Sequence, residues 1–216
     1  MKLRWLLIAL TGLSIPLSFI DAPFPDELVL QHIPTLVALV SLAVAMRFGL
    51  SPLSFGCLIV FLWLHVLGAR WIYSYVPYDR WASALTGSSL SEQFDWDRNH
   101  YDRLVHFASG LLGVPPASEV LQRSCGMRPL GGAIVGVACI LAVGAMYEIL
   151  EWQIAVFASP AQAEAYNGQQ GDIWDPQKDM ALAWFGGMIS AGLVFRWSPL
   201  GRGQRSAAWR GESSGD

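Results

Sequence analysis

Residues 130–157 read LGGAIVGVACILAVGAMYEILEWQIAVF, and they carry no charge from Leu130 to Tyr147. An α-helix rises about 1.5 Å per residue, so about 20 such residues cross a hydrocarbon core roughly 30 Å thick. A stretch this long and this apolar is read as a membrane span, one that tilts or extends beyond the bilayer. Five further apolar stretches flank it: Leu3–Ile20, Leu28–Met46, Pro52–Ile72, Tyr101–Leu121 and Lys178–Trp197. The fourth span in chain order, Tyr101–Leu121, is the weakest. Pro115 and Pro116 are expected to break or kink it, and Glu119 follows.

Composition agrees with this reading. Charged residues make up 14% of the chain, against about 25% in soluble domains, while 53% are hydrophobic. The mean hydropathy of +0.38 places the chain among polytopic membrane proteins. A net charge of −3 argues against a nucleic-acid partner, which needs a basic face. Cys57 and Cys139 lie in apolar spans and Cys125 in a loop on the inner side, so no structural disulfide is expected. Lys2 and Arg4 before an apolar run also suit a signal peptide, but Ser18-Phe19-Ile20 before Asp21 offers no cleavage site. The first helix is read as retained.

Orientation follows from the basic residues. With the N-terminus inside, Lys2, Arg4, Arg47, Arg123, Arg128, Arg196, Arg202, Arg205 and Arg210 fall on the inner side. Arg70, Arg80, Arg98, Arg103 and Lys178 fall outside. Nine against five in strict alternation places both termini in the cytoplasm. The expected fold is therefore an all-α membrane bundle of about six transmembrane helices, one domain over residues 1–200, followed by a disordered cytoplasmic tail, 201–216. Tryptophans 5, 71, 152, 174, 184 and 197 sit near the ends of these spans, where amphipathic rings anchor helices.

The acidic residues are distributed very unevenly. In this topology Glu119, Glu212 and Asp216 alone lie inside, and the other 14 carboxylates, Glu164 among them, gather outside. Three segments meet on that side. In Asn99-His100-Tyr101-Asp102-Arg103-Leu104-Val105-His106, Asp102 and His106 stand four apart and share a helix face. In Tyr147-Glu148-Ile149-Leu150-Glu151-Trp152, Glu148 and Glu151 stand three apart and do the same. The third segment, Gly168–Asp179, contains Asp172, Asp175 and Asp179.

Part of this has a plain structural explanation. Asp175-Pro176 suits an N-cap followed by proline at the first helical position, and Asn99 with Asp102 resembles a capping box. His106, Glu148 and Glu151 are too deep for caps. Facing lipid, such an acid costs roughly 2.5–3.5 kcal/mol, so they are expected to face the bundle interior. A pairing of Arg103 with Glu148 or Glu151 would satisfy them without function. Otherwise they form an outward-facing pocket of Asp102, His106, Glu148, Glu151, Asp172 and Asp179.

Imidazole and carboxylates together suit a divalent cation, with His106, Glu148 and Glu151 as candidate ligands. The same groups would serve a proton relay in a small proton-coupled transporter, or would only fix helix register in a scaffold. His32 and His65, each alone on an apolar face, are read as packing residues, and Glu119 as a partner for Arg123. The substrate is not specified by these residues, and a homo-oligomer is compatible with them.

At Tyr101-Asp102-Arg103-Leu104-Val105-His106-Phe107 with Gly110-Leu111-Leu112, at Tyr147-Glu148 with Glu151-Trp152, and at Gly171-Asp172-Ile173-Trp174-Asp175 with Gln177-Lys178-Asp179-Met180, the chain resembles the YjdF family of bacterial inner-membrane proteins. That resemblance implies a small polytopic protein of the inner membrane with no assigned biochemical role. A looser similarity, in the Asp-x-x-x-His-Phe pattern and the later acidic helix, is to VanZ-like membrane proteins.

Overall fold

The computed structural model describes residues 2–157 and 168–197. The tail 201–216 and Glu164 lie outside the described residues. Eight α-helices and no strand are found among those described: α1 (Lys2–Ser18), α2 (Pro25–Ala45), α3 (Pro52–Arg70), α4 (Tyr78–Thr86), α5 (Leu90–Phe94), α6 (Tyr101–Cys125), α7 (Pro129–Phe157) and α8 (Asp175–Trp197). A 3₁₀ turn, Met46–Phe48, closes α2.

Four of the helices, α2, α3, α6 and α7, are long and apolar enough to cross a membrane. The 29 residues of α7 measure about 43 Å at 1.5 Å per residue, longer than the hydrocarbon core is thick. Many large apolar side chains point outward, Leu53, Val143, Met146 and Trp152 among them. In a bilayer that is the lipid-facing surface.

The expected break in α6 is not there. The helix runs from Tyr101 to Cys125 through Pro115 and Pro116. Each proline removes one amide from the helical ladder, but the surrounding turns are locked by packing. Val114, Pro116 and Ser118 are buried, and Gly132 and Gly136 of α7 lie against Val114 and Ser118.

α6 is the centre of the bundle and packs on α3, α7 and α8. Its contact with α8 is backbone to backbone. A Cβ built on Gly110 would lie 1.9 Å from the carbonyl oxygen of Ala183, and one on Gly186 would lie 2.2 Å from that of Phe107. Only glycine permits this approach, the device by which membrane helices close on one another.

The two short helices α4 and α5 were not expected. Ser89 and Glu92 form a complete capping box that starts α5. The Asp79 carboxylate ties the two helices by accepting from the Ser91 amide at 3.0 Å and the Ser91 hydroxyl at 2.6 Å.

At the opposite end from these helices, the turn before α3 is strapped down. The Arg4 guanidinium donates to Leu50 O at 2.7 Å, and Arg123 donates to Gly49 O. Glu119 accepts from the Ser51 amide at 2.8 Å and pairs with Arg123 at 2.9 Å, the pairing anticipated from their spacing.

Candidate functional site

The ion-rich end of the bundle is organised by the segment before α6. Asn99 Oδ1 accepts from the Tyr101 amide at 3.0 Å, a turn bond leading into the helix, whose N-cap position is His100 and not the expected Asn99. Its own amide donates to Gln170 Oε1 at 2.8 Å, and its Nδ2 donates to Val76 O at 2.8 Å. Asn99 thus joins three loops. Asp102 does not complete a capping box; its carboxylate turns toward His106.

The expected i, i+4 pair is in place, with His106 Nε2 3.7 Å from Asp102 Oδ1. α7 brings Glu148 to the same nitrogen, its Oε1 3.6 Å away. α8 contributes Asp179, which is 2% exposed. One donor atom each from Asp102, His106 and Asp179 lie within 4.8 Å of one another. Two carboxylate oxygens here, Glu148 Oε1 and Asp179 Oδ1, are buried with no hydrogen-bond partner.

Beside this cluster lies a second group, in which the Nη atoms of two arginines are engaged by Asp172 and Asp175 while the Nε of each is buried without a partner. Arg98 forms a fork with Asp175, Nη1 to Oδ1 at 2.6 Å and Nη2 to Oδ2 at 3.0 Å. It also donates to the carbonyls of Gln169 and Gly168. Arg103 reaches Asp172 at 2.7 Å and Asp175 at 3.3 Å, and Lys178 donates to Asp172. The pairing of Arg103 with Glu148 or Glu151 is therefore not what forms, because Asp172 and Asp175 hold its guanidinium.

Asp175 is the first residue of α8, 2% exposed, and its carboxylate goes to Arg98 and Arg103. The cap expected of it is replaced by this ion pair. Asp172 belongs with the ion pairs, and Glu151 lies nearly one turn beyond Glu148, partly buried.

Outside the helices the charges respond as these contacts dictate. Burial opposes the Arg98 charge, but the hydrogen bond and charge of Asp175 outweigh it and raise the arginine's pKa. The hydrogen bond from Lys178 holds the Asp172 carboxyl below its usual range, helped by the Trp174 amide and the charges of Lys178 and Arg103. His100 is pushed down by burial and by the adjacent positive charges of Arg103 and Arg98.

A family of predicted membrane proteins, DUF2238, matches residues 3–199. The chain belongs to this family. It is also 35% identical over 158 residues to the inner membrane protein YjdF of Escherichia coli (strain K12), covering 72% of this chain and 70% of that protein. The likeness read from the Tyr101–Phe107, Tyr147–Trp152 and Gly171–Met180 motifs is thus shown over most of the chain. No solved structure matches it.

This DUF2238 chain also contains a polar seam that joins His32 and His65 across helices. His32 Nε2 lies 2.7 Å from Ser18 Oγ, and His65 Nε2 lies 2.7 Å from Thr35 Oγ1 and 3.1 Å from Gln31 O. Tyr73 hydrogen-bonds His65 Nδ1. Tyr147, next to Glu148 on α7, donates to Gln31 Oε1 at 2.9 Å. Both histidines are satisfied packing residues, as expected, but they are linked through Thr35, whose Oγ1 also lies 3.4 Å from His32 Nδ1. Spacing within one helix shows nothing of such a link between helices.

Proposed function

We propose that this protein is a six-span protein of the bacterial inner membrane, with both termini in the cytoplasm and an outward-facing pocket that binds a divalent cation. The pocket draws on Asp102, His106, Glu148, Glu151 and Asp179, with Asp172 at its rim. The name of the Escherichia coli relative supports the membrane, and the distribution of Lys and Arg supports the orientation.

One observation carries the cation reading. Asp102, Glu148 and Asp179 surround His106, while the nearby arginines are already engaged by Asp172 and Asp175. Buried carboxylate oxygens without donors are costly, and a cation bound to or beside them offsets that cost. A metal ion in such a site polarises bound oxygen and activates water, which suits hydrolytic work on an envelope substrate.

The test is the metal content of detergent-purified protein by mass spectrometry, wild type beside His106→Ala. Near-stoichiometric divalent metal in the wild type, lost in the variant, supports the reading. A folded wild type that takes up no divalent ion when supplied with it sinks the reading.

A further inference from the structure

We infer that the ion is a first-row divalent metal held by Asp102, His106 and Asp179, with Glu148 beside the site and Glu151 outside its ligand set. This deepens the cation reading and rests on it.

The geometry selects these three. Their donor atoms are mutually within 4.8 Å, a closeness that Glu148 and Glu151 do not join. In a tetrahedral site, bonds of about 2.0–2.2 Å put ligand atoms about 3.3–3.6 Å apart. His106 Nε2 and Asp102 Oδ1, at 3.7 Å, already stand near that spacing, and side-chain movement of up to about 1.2 Å closes the rest of the group on an ion. Asp179 supplies the independent sign of a ligand: it is 2% exposed, and its Oδ1 has no partner. Such a group is a standing cost to the fold unless something is bound to it.

The supporting backbone is rigid where precision matters. On α6, His106 lies one turn and Asp102 about two turns before Gly110, and Asp179 lies one turn before Ala183 on α8. Gly110 and Ala183 are in direct backbone contact, so the distance between the two halves of the ligand set is fixed by helix packing.

The donor set selects the metal. Ca²⁺ takes six to eight oxygens and Mg²⁺ keeps several waters on one or two carboxylates, so neither needs an imidazole. With no thiolate in the group, Cu(I) is disfavoured. One imidazole and two carboxylates suit Mn²⁺, Fe²⁺ or Zn²⁺, and three protein ligands leave positions open for water or substrate. Glu148 Oε1 stands beside the group, 3.6 Å from His106 Nε2.

The experiment uses the full chain in detergent, stripped with chelator and reloaded separately with Mn²⁺, Zn²⁺, Ca²⁺ or Mg²⁺. Bound metal is measured by mass spectrometry, and folding by gel filtration and thermal melting. Pulsed electron paramagnetic resonance on the Mn²⁺ form reads imidazole nitrogen directly and needs no variant.

The expected result is one equivalent of Mn²⁺ or Zn²⁺ with a coupled nitrogen. Asp102→Asn and Asp179→Asn then weaken binding by at least roughly tenfold, while Glu148→Gln and Glu151→Gln retain one equivalent at saturation. Metal retained by Asp179→Asn but lost in Glu148→Gln and Glu151→Gln overturns this ligand set and leaves the cation pocket standing. Absence of nitrogen coupling, or tighter binding of Ca²⁺ or Mg²⁺, also overturns the assignment. No uptake of any ion by the folded wild type overturns the assignment and the cation reading together.

Discussion

Arg98 and Asp175, 77 residues apart in sequence, meet as a two-bond fork at 2.6 and 3.0 Å. The pair fastens the segment before α6 to the first turn of α8, and so fixes which faces of those helices meet one residue cluster further in. Both side chains are largely buried, Asp175 to 2% and Arg98 to 11% exposure. Removing one member of a buried pair leaves an uncompensated charge, at a cost of about 3–5 kcal/mol, whereas replacing both with apolar groups is often near neutral. Asp175→Ala is therefore expected to lower the thermal midpoint of the purified protein strongly. The double variant Arg98→Leu with Asp175→Leu should recover a large part of that loss. Equal losses in the single and double variants would show that the charges themselves contribute little.

The glycine seam between α6 and α8 gives a sharper geometrical test. In Gly110→Ala or Gly186→Ala the new methyl meets backbone oxygens at 1.9 and 2.2 Å, and backbone has no rotamer with which to yield. The helices must separate, at a cost of roughly 1–3 kcal/mol or more. Asp102 and His106 then move away from Asp179, so stability and bound metal should fall together. Gly131→Ala and Gly192→Ala are the controls, since a Cβ at either meets nothing within 4 Å. Melting curves and metal content of the four variants decide whether the seam positions the site.

The ion-pair end should respond to acid through His100. Its folded pKa lies below the ordinary 6.5, because burial and the charges of Arg103 and Arg98 disfavour the imidazolium. The stability it contributes is thus fully present above pH 6.5 and is lost as pH falls through the folded value, since the unfolded chain takes up the proton first. Asp172 follows the same sign at lower pH: its depressed pKa gives stability present above about 3.8 and lost as pH falls below it. A series of thermal midpoints from pH 7.5 downward should decline below 6.5, and His100→Gln should flatten the first part of that decline. An unchanged slope in the variant would remove His100 from the account.

The chain shows how far spacing alone reaches into such a site. Asp102 with His106 was legible because four residues make one helix turn, and Glu148 because a deep acid must turn away from lipid. Helix bounds were legible as well: the apolar stretches read as Pro52–Ile72 and Leu130–Phe157 nearly coincide with α3 and α7. What escaped was set by contacts between segments. Asp175 before proline reads as a cap, and only the arrival of Arg98 from another loop makes it a buried ion partner. Pro115-Pro116 reads as a break or a kink, and only the packing of Gly132 and Gly136 against that turn shows why the helix is not broken. The α5 capping box, Ser89 with Glu92, stands in the sequence, but the five residues it starts are too few to show a helical period.

His65 separates the polar seam from the site. It is 8% exposed, accepts from or donates to Thr35 at 2.7 Å, reaches Gln31 O at 3.1 Å and bonds the Tyr73 hydroxyl. His65→Leu keeps comparable bulk but takes away both ring nitrogens, so α2, α3 and the Tyr73 loop lose their shared partner. Disrupting a buried hydrogen-bonded group of this kind costs about 1–3 kcal/mol for each group left unsatisfied. The variant should therefore melt several degrees lower than the wild type. Its divalent metal content should stay unchanged, because Asp102, His106 and Asp179 are carried by α6 and α8, which pack through their own glycine seam. Metal loss at intact folding in His65→Leu would instead mean that the link from Gln31 to Tyr147 on α7 transmits the seam's arrangement to Glu148. The seam and the cluster would then be one functional unit.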